Sequence, residues 1–420
     1  MNLHPNHLIT PRHNPVLAVL AVAFSTFLVV TSEMMPVGAL TLIADDMDVS
    51  AGTAGMTLTI TGLVAALACT LAPVLARQID RRIIMVAFML TLAAANVMTA
   101  LAPNFAVLAV ARVLLGIAMG MVWGLAAGLG GRLVPSHRIG TAMTVIFSGV
   151  SVASVVGVPL GTYVADVANW RVAFWLIAGL GTIAAMLLWL FLPALPATES
   201  AKLRTTFAAI RTPGVTCGLI ITGLVVFGHF TGYTYVRPIL ESQFGLTTTT
   251  IAAALMMYGI AGLAGTFLFG PLAHRAPKAA VVLTVSGVTA ATTLLAINVS
   301  AAAIAAFVTL ALWGIAYGGI SVSTQAWTAS ADPARVESSS ALWSGLFNAS
   351  IAMGSVTGGI VMDQAGEGLT LWFATSLSLV AVAFAVFTRP RPATGTRSVR
   401  RSRILPRSDS ETQLEGKFFH

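Results

Sequence analysis

Twelve apolar stretches separated by short polar connections run the length of the chain. They fall at roughly 16–40, 52–76, 83–101, 105–131, 139–165, 172–192, 214–240, 248–273, 279–299, 302–328, 338–361 and 369–388. Each is long enough, at about 1.5 Å of helical rise per residue, to cross a hydrocarbon core about 30 Å thick. An isolated segment in lipid has to satisfy its own backbone hydrogen bonds, and a helix does so internally. A membrane barrel would instead need many shorter stretches of alternating polarity, which the sequence lacks. The expected fold class is therefore an all-α membrane protein of twelve transmembrane helices, spans 1 to 12. Composition agrees: 57% of the 420 residues are hydrophobic and 9% charged, where a soluble chain carries about 25% charged residues. A cytosolic enzyme is excluded. So is a disulfide scaffold, since Cys69 and Cys217 are the only cysteines and both lie in apolar stretches. The first stretch is too long, and its leader too weakly basic, for a signal peptide.

Lysine and arginine orient the spans. One set of ends carries Arg12, Arg77, Arg81, Arg82, Arg132 and Arg138, then Lys202, Arg204, Arg211, Arg275, Lys278 and Arg335. The opposite ends hold Arg171, Arg237 and the acidic run Asp45, Asp46 and Asp48. The positive-inside rule places the first set, both termini and the 193–213 link in the cytoplasm. Residues 389–420 hold eight basic and three acidic residues, so most of the chain's net charge of +8 lies in this tail. No aromatic residues interleave those arginines, so a nucleic-acid partner is not expected. A disordered basic tail against anionic lipid is.

An internal repeat divides the chain. A shift of 198 residues brings Pro73 onto Pro271, Arg77 onto Arg275, Gly116 onto Gly314 and Gly120 onto Gly318. A shift of 197 brings Gly157 onto Gly354 and Gly161 onto Gly358. Two six-helix halves of parallel topology follow, with pseudo-symmetry between them. The expected organisation is an N-terminus at 1–14, a first bundle at 15–192, the link at 193–213, a second bundle at 214–388 and the tail at 389–420. Gly116, Gly120, Gly124 and Gly128 form a small-residue stripe on span 4, the kind that lets helix backbones approach closely.

A charge at the bilayer centre costs at least about 2.5–3.5 kcal/mol on insertion scales, so deep ionisable groups point to function. Glu33 lies about seven residues before the outer end of span 1 and Arg112 about seven residues into span 4, both about 10 Å deep. They are the candidate proton-coupling residues, able to meet if their faces converge. His229, Tyr233 and Arg237 recur every four residues on span 7, predicting one continuous polar stripe. Trp313 and Tyr317 on span 10, Trp343, Phe347 and Asn348 on span 11, and Trp123 on span 4 add aromatic and amide groups. Together with Glu33 they predict a cavity for a small, largely uncharged ligand such as a sugar or ring compound. No Gly-x-x-x-x-Gly-Lys loop, metal-ligand spacing or Gly-x-Ser-x-Gly elbow is present. Neither ATP, a metal, a cofactor nor enzyme activity is expected.

These motifs resemble the major facilitator superfamily over residues 15–390, and most closely its twelve-span drug:proton antiporters. The bacterial branch exporting sugars, purine ribonucleosides or chloramphenicol is the nearest match. Span 1 reads Thr31-Ser32-Glu33-Met34-Met35-Pro36-Val37-Gly38, similar to that branch's Thr-x-Glu signature ending Pro-Val-Gly. Span 5 carries Gly149 and Gly157-Val158-Pro159-Leu160-Gly161, then Trp170-Arg171 and Phe174, similar to the antiporter motif of exporters. Span 7, from His229 through Arg237-Pro238, and span 11, from Phe347-Asn348 through Gly354 and Gly358-Gly359, continue the likeness. Arg112 with Gly116 matches the family's span 4 arginine, implicated there in proton transfer. The family's loop between spans 2 and 3 reads Gly-x-Leu-Ala-Asp-Arg-x-Gly-Arg-Arg. Here Arg77 stands where the acid is expected and Asp80 where the glycine is, followed by Arg81 and Arg82. The expected cytoplasmic gate loop is thus rearranged, with Asp80 substituting for the missing acid.

The resemblance implies a proton-coupled exporter, monomeric, in the bacterial inner membrane, driven by the proton gradient and carrying a sugar or, alternatively, a drug, chloramphenicol or purine nucleoside. A proton-driven importer is disfavoured by the span 5 motif. A non-transporting receptor is disfavoured because it would call for a large soluble sensor domain.

Overall fold

The computed structural model describes residues 14–75, 79–196, 209–297 and 303–389, and these are almost wholly helical. Spans 1 to 4 are Pro15–Gly38, Ala51–Leu75, Arg81–Ala100 and Phe105–Leu133. Span 5 is interrupted: α-helix over Ile139–Val152, a π turn over Ala153–Gly157, and α-helix again over Val158–Val167. Spans 6 to 10 are Trp170–Phe191, Pro213–Tyr233, Thr248–Arg275, Pro277–Ile297 and Ala303–Ala331. The last helical stretch, Val336–Phe387, contains spans 11 and 12. They are broken at Gly366, whose φ of 78° suits glycine alone. Arg77, the 197–208 part of the link and the tail from 390 lie outside the described residues.

Short polar residues start the helices. Asn14, Asn104 and Asn169 each accept a backbone N–H of the first turn, at 3.0, 3.1 and 2.8 Å, opening spans 1, 4 and 6. Proline explains the interruptions. Pro159 offers no N–H to the Val155 carbonyl four residues back, and the ladder widens into the π turn just before it. Pro238 withholds one from Thr234. Span 7 therefore ends at Tyr233, and a separate short helix, Val236–Phe244, carries Arg237. The predicted continuous stripe is thus corrected: His229 and Tyr233 share span 7, whereas Arg237 belongs to the helix beyond the break. Span 1 similarly ends at Gly38 rather than 40, and the short helix Leu40–Met47 follows.

Lipid tails are as apolar as leucine, so helices in a membrane associate through close packing rather than water exclusion. Glycine supplies it here, in the same pattern twice. Gly116 and Gly120 of span 4 lie against the Thr61 and Ala65 carbonyls of span 2. Their counterparts Gly314 and Gly318 of span 10 lie against the Tyr258 and Gly262 carbonyls of span 8. Gly157 and Gly161 of span 5 meet Thr31 and Met35 of span 1, and their counterparts Gly354 and Gly358 of span 11 meet the Phe227 and Thr231 carbonyls of span 7. The sequence repeat is therefore a structural one: 4 on 2 and 5 on 1 become 10 on 8 and 11 on 7. Phe267, Leu268 and Ile304 project from the outside of the bundle, where lipid solvates them.

A methyl added at Gly120 would stand 2.5 Å from the Ala65 carbonyl and 2.6 Å from Ala68 Cβ, both rigid neighbours. Gly120→Ala should cost about 1–3 kcal/mol, as overpacking does. Gly179→Ala, which meets nothing within 4 Å, should be neutral. Thermal unfolding of the two variants in detergent, followed by monodispersity, checks the contrast.

Candidate functional site

The deep charges of the first half are arranged around a proline. Pro36 has no N–H for the Ser32 carbonyl, which is left without its intrahelical partner. Arg112 of span 4 takes it, donating from Nη1 at 3.3 Å, and from Nη2 to Thr99 Oγ1 at 3.2 Å. Its guanidinium lies over the Phe174 ring, 4.8 Å from the centroid. Ser32 Oγ donates to Asn96 Oδ1 at 2.9 Å, and Asn96 returns to the Leu92 carbonyl at 2.8 Å. Arg112 is thus held by the residue next to Glu33 and not by its carboxylate; no Glu33–Arg112 ion pair occurs among the described residues. The faces of Glu33 and Arg112 therefore do not converge into a direct pair. Glu33 is 3% exposed and its Oε1 has no hydrogen-bond partner. Burying a carboxylate with an idle oxygen is costly, so the position calls for a function.

Across the interface the second half presents a cluster of rings. His229 stacks on Tyr317 with centroids 3.5 Å apart and planes 10° apart, and on Tyr233 at 4.9 Å and 20°. Tyr233 stacks in turn on Tyr258 at 4.7 Å. Trp313 and Phe230 close the sides edge-on to His229, at 5.2 and 4.9 Å. The rings therefore form near-parallel layers with perpendicular walls, the geometry that ring quadrupoles favour. His229 Nε2 is 3.5 Å from the Tyr258 hydroxyl, while His229 Nδ1 and Trp313 Nε1 are buried without partners. Two idle polar atoms, His229 Nδ1 and Trp313 Nε1, thus belong to one aromatic cage in the second half.

The other predicted residues lie toward the ends carrying the basic residues. Trp123 stacks on Phe147 at 5.7 Å, and Trp343 packs on Phe347 at 5.0 Å while donating from Nε1 to Thr324 Oγ1 at 3.0 Å. Asn348 donates to the Ser344 carbonyl of its own helix at 3.0 Å. The glycines of the span 5 motif face span 1 of their own half, while the Ser154 carbonyl in the π turn abuts Gly259 of span 8 in the other half. Gly149 packs on Thr26 and Ala23 of span 1, and Pro159 is buried directly after the π turn. In the loop between spans 2 and 3, Asp80 accepts from the Arg82 and Leu195 backbone N–H groups at 2.8 and 3.0 Å. Arg81 is buried, its backbone N–H bonded to the Leu195 carbonyl at 3.0 Å, and Arg82 reaches the Trp189 carbonyl and lies over that ring. Asp80 therefore ties this loop to the end of span 6 within its own half.

Tyr258 is the cage residue that sequence reasoning missed. The usable signal was rarity: only five tyrosines occur in the chain, and Tyr258 is one placed inside an apolar stretch. Among the described residues no group of His, Cys, Asp and Glu has the makeup of a metal site.

Two pseudo-symmetric six-helix halves meeting around buried polar groups define a membrane transporter, not an enzyme. The chain belongs to the Major Facilitator Superfamily, whose family profile matches residues 22–340. It is 30% identical over 354 residues to the purine ribonucleoside efflux pump NepI of Salmonella paratyphi B, covering 83% of this chain and 88% of that one. It is also 30% identical over 386 residues to the transcription regulatory protein OpdE of Pseudomonas aeruginosa, covering 88% and 93%. Among solved structures it shares its fold with a bacterial homologue of the human lysosomal transporter Spinster, in an inward-facing and occupied conformation. That match has a TM-score of 0.68 at 15% identity over 88% of this chain and 95% of the other.

Burial inside the cage should shield His229 from diethyl pyrocarbonate, whereas the exposed His274 should react first. Removing one layer with Tyr233→Ala should make His229 reactive. Mass spectrometry of the modified protein checks the order of labelling.

Proposed function

We propose that this transporter is a proton-coupled exporter of a small, uncharged, planar ring solute, with purine ribonucleosides the first class to test. The aromatic cage carries this proposal. Rings stacked in near-parallel layers suit a planar solute ring that takes the place of one layer and stacks on the next, and the idle His229 and Trp313 atoms offer hydrogen bonds to its edge. The likeness to a purine ribonucleoside efflux pump supports the same solute class. A sugar, favoured by the span 1 and span 7 motifs, is the second class to test.

Glu33 is the proposed proton carrier. It adjoins the Ser32–Arg112 network, and in this proposal solvent and solute reach it in alternation as the halves rock. Arg112 holds the Ser32 carbonyl that Pro36 leaves unpaired, next to the carboxylate in sequence. Trp123, Phe347 and Asn348 line the route from the cytoplasmic side, and the span 5 motif, Gly149, Gly157, Pro159 and Gly161, seats span 5 on span 1 so that the π turn at Ser154 meets the second half. Asp80, Arg81 and Arg82 brace the cytoplasmic ends of spans 3 and 6. The charge distribution supports a cytoplasmic side for both termini and the 193–213 link, and the family likeness supports a bacterial inner membrane. The cross-half hydrogen bonds cluster at the opposite end, which supports an inward-facing state. The protein acts as a monomer and needs no cofactor beyond the proton gradient. Export requires the two states to bind solute and proton unequally, since equal affinity shifts nothing.

In everted vesicles, Glu33→Gln should abolish substrate-driven proton movement while solute binding persists. Proton movement at the wild-type rate would remove Glu33 from the coupling role. Tyr233→Ala should weaken binding of the transported nucleoside about tenfold or more, the expected loss for ~1–3 kcal/mol of ring stacking. A panel of labelled nucleoside, sugar and chloramphenicol efflux in overexpressing cells identifies the solute class.

A further inference from the structure

We propose that Asp363 and Arg237 of the second half form a releasable two-point latch that closes the end of the molecule opposite the basic residues, by capping two helices of the first half. Asp363 lies near the end of span 11. Its Oδ1 accepts from the Gly52 backbone N–H at 2.9 Å and its Oδ2 from Ser50 Oγ at 2.6 Å. Those donors are the first turn of span 2, where unpaired N–H groups and the helix dipole favour an anion. Arg237 does the converse. Its Nη1 donates at 2.5 Å to the carbonyl of Gly38, the last residue of span 1, where a cation is favoured. A carboxylate thus sits on a helix start and a guanidinium on a helix end. The second half supplies both charges and the first half both termini.

What makes this a latch rather than a fixed joint is that most groups keep a partner in their own half when it opens. Arg237 retains Glu241 Oε1 at 2.8 Å and Thr248 Oγ1 at 3.0 Å, both in the second half. Ser50 Oγ retains the Thr53 N–H at 3.0 Å and continues to cap span 2. Asp363 is exposed and returns to water. Glu241 loses only the Thr41 hydroxyl, at 3.2 Å, and keeps Arg237. No buried charge is left unpaired by opening, so the large penalty for stranding an ion is avoided. Beside the latch the backbones themselves touch: a Cβ on Gly52 would stand 2.5 Å from the Gly359 carbonyl. Tyr235 fills the gap below, with its hydroxyl on the Ser355 carbonyl at 2.7 Å, while Ser355 Oγ donates to the Gly55 carbonyl at 2.8 Å. The inference holds whichever solute is carried and whatever ion drives transport.

The test measures conformation and not transport. In full-length protein with Cys69 and Cys217 replaced by alanine, spin labels at Asp45→Cys and Gln364→Cys report the separation of the halves at this end by pulsed electron resonance. Asp363→Asn should raise the ratio of long to short separations roughly tenfold, the worth of one charge-assisted hydrogen bond. Gly52→Ala should shift it in the same direction by wedging the backbones, and Arg237→Gln should do so by releasing span 1. Glu367→Gln removes a nearby carboxylate outside the latch and should leave the distribution unmoved. An unchanged distribution in both Asp363→Asn and Gly52→Ala overturns the latch, as does an equal shift in Glu367→Gln. Should Arg237→Gln fail to fold, the other two variants decide.

Discussion

Contact between glycine and the backbone of a neighbouring helix is the interaction on which the rest of this molecule depends. In lipid there is no water to expel from between helices, so spans that cannot come close have little reason to stay together. Gly116 and Gly120 bring span 4 onto span 2, and Gly314 and Gly318 bring span 10 onto span 8. Gly354 does the same for span 11 against span 7, and its counterpart Gly157 lets span 5 close on the Thr31 side chain of span 1. Because the joints recur about 198 residues apart, each half is a copy of one packing solution. The surfaces where the halves face one another are left for other work.

Proline then makes polar chemistry possible inside that apolar frame. A regular helix spends its carbonyls on itself, whereas Pro36 leaves the Ser32 carbonyl available to Arg112, beside Glu33. Pro159 loosens span 5 where it meets span 8, and Pro238 ends span 7 so that Arg237 can leave its axis for Gly38 of the other half. Each interruption costs a hydrogen bond within its own helix. Each also stands beside a group that joins two helices.

This division explains what was legible in the sequence. Span lengths, the two-fold repeat and the deep charges follow from hydropathy and spacing, properties that a single helix carries alone. The small-residue stripe on span 4 could be read for the same reason, because Gly116, Gly120 and Gly124 share one face whatever lies opposite. Whether Glu33 meets Arg112 could not be read. Equal depth brings two residues to one level of the membrane, but the Ser32 carbonyl freed by Pro36 competes for the guanidinium and holds it. The stripe from His229 to Arg237 failed at Pro238, whose effect on a four-residue spacing outweighs the spacing. Tyr258 and Asp363 were hidden for a different reason: each acquires its role from a partner about thirty or three hundred residues away, His229 and Ser50 with Gly52.

One short segment carries more of the mechanism than its length suggests. Within residues 229–237, His229 and Tyr233 build the cage, Tyr235 wedges against spans 2 and 11, and Arg237 reaches span 1. Tyr233 ends one helix and Arg237 lies in the first turn of the next, joined by Thr234 and Tyr235 alone. Four residues leave little slack, so a ring that enters the stack and displaces Tyr233 must also load the backbone that positions Arg237. A carrier needs its solute site and its closed end to sense each other, and a long relay through packed side chains would dissipate small displacements. Placing both on either side of a proline-terminated helix makes the connection covalent.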